Sequence, residues 1–244
     1  KSFLWRVEHL ARDGGFAAII GEPGTGKSVT LRLLAARLAA RREVVVGVLT
    51  RPHAGLADFY REVGHLFGVP LSPHNRWAGA KALRDTWLAH IETALVRPVL
   101  LVDEAQDVRT DVLTELRLLA SADLDARVIL TVVLAGDRRL QDRLRAIDLR
   151  PLDSRLRVKL LLDTATRDDL VQCLRHALDT AGNPQLLTPG LRDALVDHAG
   201  GNYRTLMAHA YELLLAGAER DVAQLYETLG CEFVAQAPAD RPRA

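Results

Sequence analysis

Gly21-Glu22-Pro23-Gly24-Thr25-Gly26-Lys27-Ser28 fits the pattern G-x-x-x-x-G-K-[ST]. Glycines at this spacing let the backbone curl until its N–H groups point at a phosphate chain. The helix that follows turns its positive end toward the same charge. The eight residues lie between an apolar run at 16–20 and a Leu/Ala/Arg stretch from Ser28 onward, the strand–loop–helix context that the pattern requires. A chance glycine turn has no reason to fall there. In such a loop Lys27 reaches the β- and γ-phosphates of ATP, and Ser28 holds Mg²⁺. Gly21, Glu22, Pro23, Gly24, Thr25, Gly26 and Val29 make up the rest of the candidate nucleotide contacts.

Working outward, short apolar runs at 16–21, 44–50, 99–103, 128–136 and 157–163 alternate with helix-period segments such as 28–41, 78–96 and 111–122. Continuous hydrophobic strands separated by helices predict an α/β fold, a parallel five-stranded sheet covered on both faces. After Asp163 the strand signal stops. Thr166 and Asp169 have capping-box spacing, and Thr188-Pro189 offers an N-cap followed by a proline at the first helical position. Helices are expected near 167–181, 189–199 and 203–217, then an amphipathic one using Val222, Leu225, Tyr226, Leu229 and Phe233. The expected organisation is a core at 1–163, a small all-helical lid at 164–218, and a C-terminal helix with a flexible tail at 219–244.

Of 244 residues, 48% are hydrophobic and 26% charged, too apolar for a disordered chain. Lys and Arg total 32 against 31 Asp and Glu, a net charge of +1, which excludes nucleic-acid binding by bulk charge alone. Cys173 and Cys231 form no framework, and no apolar run approaches the ~18 residues of a membrane span. A cytoplasmic setting without membrane attachment and without a signal peptide is expected. The sole methionine, Met207, means that residue 1 is not a translation start. The histidines show no metal-ligand spacing.

A second motif, Val99-Leu100-Leu101-Val102-Asp103-Glu104, places two acids at the carboxyl end of a buried strand, where ligands bind in open α/β sheets. Asp103 is the candidate Walker-B acid on Mg²⁺, and Glu104 the candidate base that orients and deprotonates the attacking water. The quartet Asp103 to Gln106 also resembles helicase motifs, but such enzymes carry two motor domains and this chain shows one phosphate loop. The fourth expected strand ends in Gly136-Asp137, making Asp137 a candidate sensor of the γ-phosphate or a helix cap. Between Asp137 and Lys159 stand eight basic residues against four acids. Among them Arg155, with Arg150 second, is the candidate arginine finger acting on a neighbouring subunit's nucleotide. In Gly200-Gly201-Asn202-Tyr203-Arg204, Asn202 can cap a helix. Arg204 lies in the first turn against the helix dipole, which points to a phosphate partner.

Together these stretches resemble an AAA+ ATPase, and more narrowly the branch of the ExeA-type secretion ATPases and the TnsC, TniB and MuB transposition regulators. The residues that carry this are GEPGTGKSVTLRLLAARL, VLLVDEAQDVRTDVLTELRLL, ILTVVLAGDRRL and GGNYRTLMAHAYELLLAG, spread over 16–217. The resemblance implies a helical lid bearing a sensor arginine, matched by Arg204, and rings or filaments with ATP at subunit joints. It implies a regulator that assembles on duplex DNA in an ATP-dependent way and recruits a transposase. The alternative is a cytosolic ExeA-like ATPase that drives protein assembly without DNA. For the first reading, Arg51, Arg76 and Lys81 are candidate phosphate contacts. Trp77 and Trp87 are expected in the core.

Overall fold

The computed structural model describes residues 2–71, 76–122, 126–220 and 224–225. Two compact units divide the chain: residues 1–22 with 26–162, and residues 23–25 with those from 163 onward.

In the first unit, α1 (Ser2–Asp13) leads into β1 (Gly15–Gly21), and α2 (Lys27–Ala39) follows the phosphate loop, whose residues 23–25 group with the second unit. Then come β2 (Val44–Leu49), α3 (Leu56–Leu66), α4 (Arg76–Ala94), β3 (Arg97–Val102) and a single 3₁₀ turn at Ala105–Asp107. The chain continues through α5 (Thr110–Leu119), β4 (Ser121–Ala122), β5 (Arg127–Val128), β6 (Thr131–Gly136), α6 (Arg138–Arg145), α7 (Arg150–Asp153) and β7 (Leu156–Leu162). Five strands pair in parallel in the order β2-β3-β6-β1-β7.

Alternation along each inner strand explains why the sheet is covered twice. Phe16, Ala18, Ile20, Leu100, Val102, Val132 and Leu134 enter one core, closed by residues such as Phe59, Trp87, Leu113 and Leu140 from α3, α4, α5 and α6. Ala17, Ile19, Val99, Leu101, Val133 and Ala135 enter the other, closed by Val7 and Leu10 of α1 and Leu34 and Leu38 of α2. The buried Glu8 carboxylate sits between the guanidinium groups of Arg37 and Arg41, each at 2.6 Å, so that its charge is paired where it leaves water. β2 and β7 are the edges and are only partly buried. The exposed Arg157 and Lys159 on β7 discourage pairing with another chain.

One expectation for the sheet changes. The apolar run at 128–136 is not one strand: β5 pairs antiparallel with β4, and the parallel strand begins at Thr131. Both pieces are largely apolar, so hydrophobicity could not mark where the chain changes partner. α1 and α3 also carried no assignment from the sequence. The apolar positions of α1 recur at 3, 4, 7, 10 and 11, a helical stripe that packs on the sheet.

In the second unit α8 (Arg167–Thr180), α9 (Pro189–Ala199) and α10 (Tyr203–Glu219) share a core built on Leu170, Leu174, Leu191, Leu195, Leu206 and Leu213. The Thr166–Asp169 capping box forms in both directions, and Thr188 caps α9. Leu225, expected in a helix, is instead buried in an extended bridge to Leu187. Its N–H donates to Leu186 O at 2.8 Å, and a backbone held straight by that pairing cannot coil there. Val222, Tyr226, Leu229 and Phe233 lie outside the described residues.

Candidate nucleotide site

The strand order fixes what can meet. β6 lies between β1 and β3, and the register sets Ile20 beside Gly136 and Val102 beside Leu134. The segments leaving the carboxyl ends of these strands are therefore neighbours on one edge of the sheet, as ligand sites in open α/β sheets require. They carry the phosphate loop, Asp137 and the Asp103-Glu104 pair.

Gly26, the N-cap of α2, has φ +100° with open space where a Cβ would stand, so glycine is needed for its conformation rather than for room. The helical ladder begins with the Thr30 N–H bonding Gly26 O at 2.9 Å. The N–H groups of Lys27, Ser28 and Val29 precede it and are available to an anion. Lys27 is buried, and its ammonium donates to Gly21 O at 2.9 Å and Glu22 O at 3.1 Å, lying along the loop. Ser28 is half-buried and Val29 is exposed. The Glu22 carboxylate pairs at 2.7 Å with Arg138, which joins the loop to the segment after β6.

Asp103 accepts the Glu104 N–H at 2.9 Å. Glu104 adopts a left-handed backbone, φ 49°, rare for a residue with a side chain, and its side chain reaches solvent. Asp137 is the N-cap of α6, accepting the Arg139 N–H. Burial works to raise its carboxyl pKa, but the Arg139 guanidinium and N–H, together with the positive field of Lys27, outweigh that and hold it below the usual carboxylate range. Arg139 in turn feels Asp107 and Glu104. Acids and bases of the loop, β3 and β6 thus act on one another electrostatically.

These residues fit ATP with Mg²⁺. The loop supplies backbone donors, a glycine conformation that only glycine adopts easily, and a buried ammonium. Ser28 and Asp103 supply hard oxygen donors, and Mg²⁺ takes few protein ligands. Among the described residues no group of three or more His, Cys, Asp or Glu forms a metal cage.

Several other expected site residues engage neighbours in their own unit or face solvent. Arg155 is half-buried and donates to Ser121 Oγ at 2.7 Å, whereas Arg150, the first residue of α7, is exposed. Arg204 is exposed in the first turn of α10. Its N–H and that of Thr205 bond the Asn202 side chain, and within the same unit Asn202 Nδ2 donates to Pro23 O at 3.1 Å. Arg51 and Lys81 are exposed, and the side chain of Arg76 lies outside the described residues. Trp87 is in the core, as expected. Trp77 is not: it is 74% exposed, with the Lys81 ammonium 5.6 Å from its ring centre. The buried row of α4 recurs every four residues at Leu83, Trp87 and Ile91, and Trp77 falls on a different face of the helix.

Sequence reasoning gave no role to Gln106, Arg138 or Arg139. Arg138 and Arg139 counted only as members of a basic run, although Asp137-Arg138-Arg139 is a cap followed by two cations at a strand tip. Gln106 stood inside a motif discussed for another reason. Among the described residues no helix is long and apolar enough to cross a membrane.

Comparison with known proteins agrees with this geometry. Residues 10–144 match the AAA domain family. General secretion pathway protein A of Aeromonas hydrophila is 32% identical over 215 residues, covering 86% of this chain but 38% of that protein. Cdc6p from Pyrobaculum aerophilum superposes with a TM-score of 0.73 at 17% identity, over 91% of this chain and 62% of that one. ORC1 of Aeropyrum pernix, solved in complex with DNA, gives 0.69 at 18% identity over 95% and 64%. The chain therefore spans well under two thirds of the secretion relative, and the two solved structures speak for the fold. A match over more than half of its length, on a phosphate loop and strand-end acids in the expected places, makes this chain a member of the AAA domain family of ATPases.

Proposed function

We propose that the chain is an ATP-dependent assembly module whose hydrolysis cycle controls its association with itself and with a protein partner, in the manner of a secretion-type ATPase. The observation that carries this is the 32% identity to General secretion pathway protein A across 86% of the chain, which extends beyond the phosphate loop into the helical unit. In this reading Lys27 and the N–H groups at the head of α2 bind the phosphates, while Ser28 and Asp103 hold Mg²⁺. Held there, Mg²⁺ would supply neutralisation of the charge that develops on the transferred phosphoryl group. Glu104 orients and deprotonates the lytic water, Asp137 senses the γ-phosphate from the tip of β6, and Arg204 supports the phosphates from the lid. A trans-acting arginine, Arg155 or Arg150, completes the site of a neighbouring copy in a ring or filament. The core at 1–163, the lid at 164–218 and the segment at 219–244 are its working parts.

The second reading is the DNA-assembling transposition regulator that recruits a transposase. Exposed Trp77 beside the Lys81 ammonium favours it, since a surface aromatic with a cation offers both stacking and phosphate contact to a nucleic acid. Measuring ATPase activity over a protein dilution series, with and without duplex DNA, tests the two together. Activity that rises with protein concentration and ignores DNA supports the protein-assembly reading. Activity independent of concentration argues against assembly altogether, and stimulation by DNA moves the assignment to the second reading.

A further inference from the structure

We propose that Gln106 is a positioning residue that sets the direction of the Glu104 carboxylate and ties it to the tip of β6. The inference rests on the reading of Glu104 as the water-activating base.

Gln106 is only 5% exposed, in the 3₁₀ turn that follows the strand-end acids. Its side-chain Nε2 donates to Glu104 Oε2 and, at 3.2 Å, to Asp107 Oδ2. Its Oε1 accepts the Asp137 N–H at 3.2 Å. Two carboxylates demand the amide's donors and a backbone N–H demands its acceptor, so only one orientation of the amide satisfies all three. The approach to β6 is close: a Cβ on Gly136 would stand 2.8 Å from both Gln106 Oε1 and Leu140 Cδ2, so a side chain there would make them shift. Arg143 fixes the other side of the turn, donating from Nη1 to Gln106 O and from Nη2 to Thr110 Oγ1 at 3.2 Å. Glu104, on a left-handed backbone with a solvent-reaching side chain, has no such restraint of its own.

A base must present one carboxylate oxygen along a defined line to its water. With Oε2 engaged by Gln106, Oε1 is the oxygen left to take the proton. The same amide holds the N–H of Asp137, so a shift of the β6 tip on contact with a phosphate reaches Glu104 through one side chain. A buried group making three such bonds has a larger task than filling space.

The test compares Gln106→Asn, too short to span both partners, with Gln106→Glu, which keeps the shape and the acceptor but sets a third carboxylate against Glu104 and Asp107. Turnover at saturating ATP, equilibrium binding of a fluorescent ATP analogue and thermal melting are measured, with Glu104→Gln as reference. Both variants should lose roughly 10- to 100-fold in kcat while the analogue's Kd stays within about threefold. Parental kcat in Gln106→Asn and Gln106→Glu overturns the proposal, as does a fall in kcat that tracks weakened binding or impaired folding. If Glu104→Gln itself turns over at the parental rate, the base assignment fails and this inference fails with it.

Discussion

Arg139 holds Asp137 at both oxygens: its backbone N–H donates to Oδ1 at 2.9 Å and its guanidinium Nε to Oδ2 at 2.9 Å. The aspartate is thereby a helix cap and an ion-pair partner at once, and its folded carboxyl is more acidic than in an unfolded chain. Asn caps a helix as well as Asp does, so Asp137→Asn removes the charge and keeps the cap. The charge stabilises the fold at any pH above the ordinary carboxylate value of ~3.9, and that contribution is lost as the pH falls toward the lower folded value. Urea midpoints of parent and variant should therefore differ at pH 7 and converge in acid below pH ~4. A gap that stays constant from pH 7 to 3 would show that charge has no part in this interaction.

Lys27 and Glu104 should separate binding from chemistry. Lys27→Ala removes the buried ammonium of the loop and should abolish ATP binding, read by equilibrium fluorescence. Glu104→Gln keeps the shape and the binding but removes the proton acceptor, lowering kcat by roughly 10²- to 10⁴-fold. Unimpaired turnover in Glu104→Gln would exclude it as the base.

The parallel sheet and its covering helices were legible in the sequence because β1, β3 and β6 are runs of apolar residues bounded by glycine or acid, which no other element tolerates as well. The phosphate loop was legible because glycine spacing and a Lys-Ser pair report backbone geometry directly. Gln106 was not, because its importance comes from a partner, the Asp137 N–H, 31 positions away. Pattern reading weighs neighbours along the chain and cannot see a side chain that spans two strands. Trp77 shows the limit of reading residue type: size and apolarity argue for the core at both tryptophans of α4, but ten residues of helix turn them to different faces and only Trp87 is buried.

Arg150 and Arg155 divide the remaining catalytic question. Arg155 already donates to Ser121 Oγ in its own chain, while Arg150 is exposed and can reach a neighbouring copy without breaking that bond. Arg150→Ala should keep nucleotide binding and lose about 10²-fold or more in turnover, in line with trans-acting arginines elsewhere. Mixing it with Lys27→Ala should restore part of the activity, since the second variant donates Arg150 to an intact site. Arg155→Ala will show the same rescue only if its bond to Ser121 opens on assembly. Absence of rescue for both, with activity independent of concentration in the parent, would rule out a shared site.

DNA binding, where the transposition reading applies, has to come from a few phosphates neutralised per subunit and multiplied by assembly, because the net charge is only +1. Affinity should then require ATP, ignore sequence and fall steeply with salt as counterions are released. Replacing Arg51 and Arg76 together with Ala should weaken binding equally on unrelated duplexes and flatten the salt slope by about one unit for each phosphate no longer neutralised. Trp77→Ala should weaken single-stranded DNA more than duplex, because only unpaired bases present a face for stacking. ATPase activity without DNA should survive all three changes, since none lies in the phosphate loop or the strand-end acids. Fluorescence anisotropy on two duplexes and one single strand, across a salt series with and without ATP, reads the binding effects, and phosphate release reads the turnover. If no nucleotide state binds DNA, the transposition reading falls, and the identity shared with the secretion relative is left as the guide to the partner.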